Sequence, residues 1–248
     1  MMRSRVVRKT IIIILICLSA AACAAVLLFA LYDNGIITLN DAKGYEVRGV
    51  DVSSYQGRID WDVLAESIDF AYIKATEGSS SVDPCFEYNL KNSAGKDIRT
   101  GAYHFFSFDS SGSTQADNFI SNVPVYDNML PPAIDVEFYG NKESSPPDKA
   151  KVVQELEVMI DKLFRHYGVM PVIYSTGKAY DMYISGGFSE CDIWIRNIIF
   201  YPSLPDRDGW TFWQYSEKGQ LDGYSGDERF IDMNVFCGSR EEFRKYGV

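Results

Sequence analysis

From Val47 onward the chain alternates between short apolar runs and stretches of helical period. "VRGVDVS" (47–53), "FAYIKATE" (70–77), "RTGAYHFFSF" (99–108) and "PPAIDVEF" (131–138) read as strands. Between them, "DWDVLAES" (60–67) reads as a helix capped by Asp60, "PCFEYNLKNSAG" (84–95) as a helix stopped by a glycine, and "STQADNFISNV" (113–123) as a third. The longest helix is expected over 145–168, where Val152, Val153, Leu156, Ile160, Leu163, Phe164 and Tyr167 recur at helical spacing. "MPVIYS" (170–175), "CDIWIRN" (191–197) and "GWTFWQYS" (209–216) complete the expected strands. Strand and helix in alternation imply parallel strands joined by crossover helices. The later part is strand-rich and poor in long helices. The fold class expected is therefore α/β, a modified (β/α) TIM-like barrel with reduced later helices.

One of these strands raises a chemical question. In "AIDVEF" (133–138), Ile134, Val136 and Phe138 alternate with Asp135 and Glu137. Residues two apart on a strand share a face, so both carboxylates point the same way, with Cβ atoms roughly 6–7 Å apart. Such a pair is either a solvated strand face or an acid/base pair. On a buried face, mutual repulsion and lost hydration raise at least one pKa. Barrels of this kind carry their sites at the C-terminal ends of the strands. Asp51, Glu77 and His104 fall late in the first three strands. Asp135 and Glu137 end the fourth, Tyr174 and Ser175 the fifth, and Gln214 and Tyr215 the last. Polar groups gathered repeatedly at strand ends are not expected of a plain scaffold.

The N-terminus is a separate object. Residues 11–32, "IIIILICLSAAACAAVLLFALY", carry no charge over 22 positions, enough for a membrane-spanning helix. Arg3, Arg5, Arg8 and Lys9 precede the run, which keeps that flank inside and sends the C-terminus out. The apolar core of a cleaved signal runs only about 7–15 residues. The "AAAC" ending at Cys23 resembles a lipoprotein cleavage site, but the chain stays apolar beyond it. The expected organisation is a basic cytoplasmic flank (1–10), a transmembrane signal-anchor (11–32), a polar tether (33–46) and a folded domain (47–248). Secretion after signal cleavage is the alternative. A 14-residue tether would span at most roughly 50 Å.

Charge divides at the same boundary. Four of the 24 basic residues lie in the first 32 positions, leaving 20 against all 34 acidic ones, a net of −14. Such a domain is a poor partner for nucleic acid or anionic lipid. Outside the apolar run there are three cysteines, Cys85, Cys191 and Cys237, which match no zinc pattern and allow one bridge at most. Two histidines make a His-based metal site improbable on composition.

The ordered segments "RGVDVSSYQGRIDW", "FAYIKATEG", "VDPCFEYNLKNSAGKDIRTGAYHFFSF", "QADNFI", "LPPAIDVE", "PVIYSTG", "DIWIRN", "FWQYSEKGQLDG" and "FIDMNVFCG" resemble glycoside hydrolase family 25, the Chalaropsis-type lysozymes or N-acetylmuramidases. They span about residues 47–238. The resemblance implies a modified (β/α) barrel with an acidic groove, and hydrolysis of the β-1,4 bond between N-acetylmuramic acid and N-acetylglucosamine in peptidoglycan. It implies Glu137 as general acid and Asp135 as its charged companion, with Asp51 and Asp232 as further site acids. It implies no metal and no organic cofactor. A glycosidic oxygen must be protonated as its bond breaks, and a carboxyl kept neutral by nearby negative charge does this near neutral pH. Tyr103, Tyr174, Trp194, Gln214, Tyr215, Glu77 and His104 are the candidate substrate contacts. Glu77 has Lys74 as an alternative partner, and His104 reads equally as a core residue. The expected partners are peptidoglycan glycan strands and, through the N-terminal helix, the membrane, with a monomeric catalytic domain. A silent peptidoglycan-binding module and a chitinase-like glycosidase are the alternatives.

Cells that express the full chain should retain most of it in the membrane fraction. Recovery in the medium with a new N-terminus near Ala25 would sink the anchor in favour of a cleaved signal.

Overall fold

The computed structural model describes residues 2–247. Met1 and Val248, the outer ends of two expected segments, and the side chains of Arg3 and Arg5 lie outside the described residues. The chain forms two compact units, one up to Leu39 and one from Asn40 onward.

The first unit is the helix α1 (Met2–Asp33). Its segment Val7–Asp33 is long and apolar enough to cross a membrane. Its large apolar side chains are exposed, from Ile12 at 48% to Val26 at 69%.

The second unit is built on nine strands: β1 (Arg48–Val52), β2 (Phe70–Glu77), β3 (Ser81–Val82), β4 (Arg99–Phe105), β5 (Ala133–Val136), β6 (Val172–Thr176), β7 (Ile193–Arg196), β8 (Phe212–Gly219) and β9 (Ile231–Phe236). The order β1-β9-β8-β7-β6-β5-β4-β2, with β1 also pairing β2, closes an eight-stranded barrel. β3 is a two-residue hairpin arm on β2. From β1 through β8 neighbouring barrel strands are parallel. β9 runs antiparallel to both of its neighbours, β8 and β1. The strand pattern alone ended the barrel at 209–216, and β9 is the element that it omitted. The α/β barrel class with weak later helices holds.

Helices α2 (Trp61–Leu64), α3 (Phe86–Ser93), α4 (Gly112–Asn122), α5 (Lys149–Tyr167), α6 (Gly177–Ala179, continued by a π turn to Ile184) and α7 (Arg240–Lys245) cover the outside and the lower mouth. α5 starts four residues later than its pattern suggests. Pro146 and Pro147 precede its cap, Asp148, which accepts a hydrogen bond from the Lys151 amide at 3.0 Å. It ends at Gly168, whose φ of +75° suits a residue without a Cβ.

Period two divides the core into two layers. Outward side chains such as Val50, Ile73, Ile134, Ile173, Ile195 and Val235 join Leu156, Met159, Leu163 and Phe119 of the helices. Inward ones, Phe70, Tyr72, Ala133, Val172, Trp194, Phe212 and Phe236, fill the barrel's lower half. There the rings are in contact: Tyr72 stacks on Trp194 at 4.8 Å, and Phe212 lies 5.2 Å from Phe70 and 5.4 Å from Phe236. Gly49 and Gly101 make room for this plug, since a Cβ on either would fall 2.5 Å from ring atoms of Phe70 or Tyr72. α7, held by a capping box of Ser239 and Glu242, inserts Phe243 beneath it.

Half of the expected tether belongs to the folded unit. Ala42 is buried, and the Arg48 guanidinium donates to the Ala42 carbonyl at 3.0 Å and to that of Asp41 at 3.3 Å. The Tyr45 ring packs 5.4 Å from Trp210 and 6.0 Å from Trp213. The unit therefore begins at Asn40, not at Val47.

A chain starting at Asn40 should fold and act alone. One starting at Val47 loses the Tyr45 packing and leaves Arg48 without these carbonyls, and should melt about 4–8 °C lower. Equal melting temperatures by circular dichroism would show that the segment 40–46 is dispensable.

Candidate active site

The aromatic plug fills the lower half of the barrel, so chemistry is left to the upper half. Parallel strands bring their C-terminal ends there, and β9, running the other way, brings its start. Asp51, Tyr103, Asp135, Tyr174, Trp194, Arg196 and Gln214 lie on the inward parity of their strands, and Asp232 sits directly opposite Asp51 in the β1–β9 ladder. Together with Lys74 and Glu137 they line a cleft of about 510 Å³. Its lining holds six carboxylates and three cations, so it is acidic even before burial is considered.

Asp135 is 8% exposed, and its Oδ1 has no hydrogen-bond partner among the described residues. Burial, followed by repulsion from Glu137, drives its carboxyl well above the usual range, against the pull of Lys74. Glu137 follows β5 directly and is half-buried. Burial also raises its carboxyl; Arg196 and Lys74 favour its charge and Asp51 opposes it. Asp232 is driven well up by burial and by Asp51. Asp51 is raised by burial, and its Oδ2 accepts from Asn234 Nδ2 at 2.7 Å and from Gln214 Nε2 at 2.9 Å, which pull the other way.

Two cations oppose the rise of these carboxyls, Lys74 at Asp135 and Glu137 and Arg196 at Asp51, Glu137 and Asp232. Lys74 pairs with Glu77 at 2.8 Å and lies 4.8 Å from the Phe105 ring centroid. Arg196 pairs with Glu217 across the β7–β8 wall. The arrangement can hold a protonated carboxyl beside ionised ones, as acid-catalysed cleavage of a glycosidic bond requires.

The profile described as "Glycosyl hydrolases family 25" matches residues 50–224. The chain belongs to glycosyl hydrolase family 25. It is a glycoside hydrolase. Its barrel superposes on a solved family 25 glycosyl hydrolase from Bacillus anthracis with a TM-score of 0.81 and 52% identity, over 86% of this chain and 98% of that one. Lysozyme M1 of Streptomyces globisporus is 34% identical over 216 residues, 82% of this chain and 74% of that protein. The N,O-diacetylmuramidase of a Chalaropsis species is 28% identical over 206 residues, 76% of this chain and 95% of that protein.

In this family 25 hydrolase, Asp51, Asp135, Glu137, Asp232, Tyr103, Tyr174, Trp194 and Gln214 all reach the cleft. His104, Tyr215 and Glu77 are not among its lining residues. His104 lies on the outward parity of β4, fully buried against α4, between Thr76 Oγ1 at 2.7 Å and Gln115 Oε1 at 3.0 Å. Burial pushes its pKa down to about 4, so it is a neutral core residue. Tyr215 also points outward, packs on Trp213 and accepts from Arg48 Nη1 at 3.0 Å. Glu77 is turned to Lys74 by a bulge in β2 between Lys74 and Thr76. Position near a strand end was therefore not enough; parity and the bulge decided the face.

The same parity identifies residues that the motifs passed over. Arg196 is two beyond Trp194, Asn234 two beyond Asp232, and Lys74 two beyond Tyr72, and each shares the inward face.

Asp135 supplies a test of this electrostatic picture. Its folded carboxyl keeps its proton to higher pH than the unfolded one, so the native state binds the extra proton between the two pKa values. Stability is therefore present below the unfolded pKa and lost as pH rises through the folded one. Asp135→Asn cannot ionise. At neutral pH it should melt above wild type, by about 2–4 °C per kcal/mol of relieved repulsion. The gain should vanish below a pH of about 3.9, where the unfolded carboxyl is itself protonated. A variant that melts lower at every pH would refute the burial of a destabilised charge.

Proposed function

We propose that this glycoside hydrolase is a peptidoglycan hydrolase, a lysozyme-type muramidase that cleaves the β-1,4 bond between N-acetylmuramic acid and N-acetylglucosamine. Glu137 is the proton donor, and Asp135, Asp51 and Asp232 are its charged companions. The observation that carries the assignment is the Asp135–Glu137 pair: same face, two residues apart, with Asp135 deep and Glu137 nearer the mouth. A glycan strand entering the cleft meets Glu137 first. Its presence removes the water that Glu137 still touches, which favours the protonated form. The two carboxyls titrate as a pair, and the outer one, Glu137, delivers the proton. The inner one, when ionised, faces the positive charge that develops on the sugar. Relatives named as lysozyme and muramidase support the substrate class. Tyr103, on the cleft wall, is the candidate sugar contact with fewest other engagements.

The apolar helix is proposed as an uncleaved anchor that leaves the monomeric catalytic unit outside the membrane. Between Asp33 and Asn40 the link is six residues, which span at most roughly 20 Å. Wall laid down close to the membrane is then the reachable substrate, and tethering substitutes for the attraction that an acidic domain lacks.

Digestion of purified wall should release new muramic acid reducing ends. Glu137→Gln should cost on the order of 10²–10⁴ in turnover while melting normally. Asp135→Asn should lose activity and also shift the pH profile, because it removes the neighbour that tunes Glu137. Near-wild-type turnover by a folded Glu137→Gln protein would place the acid elsewhere. Absence of any product from wild type would leave a binding module, and products from chitin alone a different glycosidase.

A further inference from the structure

Trp194 lines the cleft yet presents almost nothing to it. It is 2% exposed, its ring stacked on Tyr72 and set edge-on to Tyr174 at 4.8 Å. Its one polar atom, Nε1, donates to Asn234 Oδ1 at 2.8 Å. An indole N–H can only donate, so it orients the Asn234 amide with oxygen toward Trp194 and nitrogen toward Asp51. The Asn234 amide then donates to Asp51 Oδ2 at 2.7 Å. From the other side, the Tyr174 hydroxyl donates to Gln214 Oε1 at 2.9 Å, and Gln214 Nε2 donates to the same Asp51 oxygen at 2.9 Å. Four hydrogen bonds thus run with one polarity from two aromatic side chains of the barrel wall to one carboxylate oxygen. Gln214 and Asn234 are opposite each other in the β8–β9 ladder, so the two donors arrive as a matched pair.

The geometry points to Asn234 as a positioning residue for the reaction: gripped by Trp194, it fixes the direction of the Asp51 carboxylate and leaves Oδ1 as the oxygen turned to substrate. Trp194 is by the same argument a positioning residue and not a sugar platform. This deepens the proposed function, since it rests on Asp51 being one of the site acids. A buried polar chain of this kind must be complete to be tolerated, because each unpaired member costs its full desolvation. Here every amide atom in the chain that faces Asp51, Trp194 or Tyr174 has its partner.

Other charged and titratable groups also face Asp51: Asp232 from β9, Arg196 from β7, Asp135 and Glu137 from β5 and beyond it, Tyr103 from β4 and Tyr174 from β6. Substitution of Asn234 leaves all of them in place and removes one donor. A hydrogen bond to a carboxylate is worth roughly 1–2 pKa units.

The test compares Asn234→Leu and Trp194→Phe with wild type by ¹³C NMR titration of Asp51, by the pH profile of kcat/KM on purified wall, and by melting curves. Asn234→Leu should raise the Asp51 pKa by about 1 unit and move the acid limb of the profile up by the same amount. Trp194→Phe keeps a ring against Tyr72 and loses only the donor. It should shift both readouts in the same direction by less, with KM unchanged. If Asn234→Leu does not fold, Trp194→Phe decides. An Asp51 titration identical to wild type in a folded variant overturns the proposal. So does a Trp194→Phe protein with raised KM and an unmoved profile, which would make the indole a sugar platform. The NMR titration does not depend on which carboxyl donates the proton, so a failure of the Glu137 assignment would be read separately.

Discussion

A run of parallel strands joined by crossovers has two open edges, and everything in this protein depends on how they are joined. β1 and β8 do not pair with each other. β9 enters between them in the opposite direction and satisfies the backbone groups of both. Because it runs backwards, its first residues, not its last, lie at the cleft. Asp232 and Asn234 are thereby set opposite Asp51 and Gln214. Ring closure and completion of the acidic cluster are the same event. The family profile matches as far as residue 224 and so does not reach Asp232 or Asn234.

The cleft is costly to build. Four buried or half-buried carboxylates repel one another and have lost most of their water, and one of them, Asp135, keeps an oxygen without a hydrogen bond among the described residues. The compensation is local and directional. Amides hold Asp51, and Lys74 and Arg196 supply positive potential while each stays paired with a carboxylate at the periphery. Beneath them lies a layer of buried aromatic and aliphatic side chains. The buried apolar core lies in that lower half and in the helix–sheet layer, while the upper half carries the clustered charge.

Residues 40–46 tie the beginning of the folded unit to its outer wall. Tyr45 packs against Trp210 and Trp213, and Arg48 spans the junction by donating both to this segment and to Tyr215. The outward aromatics of β8, which parity keeps from the cleft, thus help to fix the chain's entry. What remains between the apolar helix and this anchorage is short.

Much of this was legible without coordinates, for physical reasons. Period two in "AIDVEF" put Asp135 and Glu137 on one face because a strand has no other option. The uncharged run at 11–32 identified a membrane-length helix by length and composition, and the order of strand and helix implied a barrel. Tertiary structure decided what depends on contacts distant in sequence. It showed β9 as the eighth stave and its direction, because the chain's local pattern does not say which edge a strand will join. It turned His104 and Tyr215 outward and Glu77 toward Lys74, because face depends on the register of the whole strand and on a bulge that only pairing reveals. It brought Trp194, Asn234 and Asp51 into one hydrogen-bonded line, although Asn234 is 183 residues from Asp51 and 40 from Trp194. The sequence by itself named the acids; their partners came from the closed ring, since a hydrogen bond between residues so far apart exists only once the fold has brought them together.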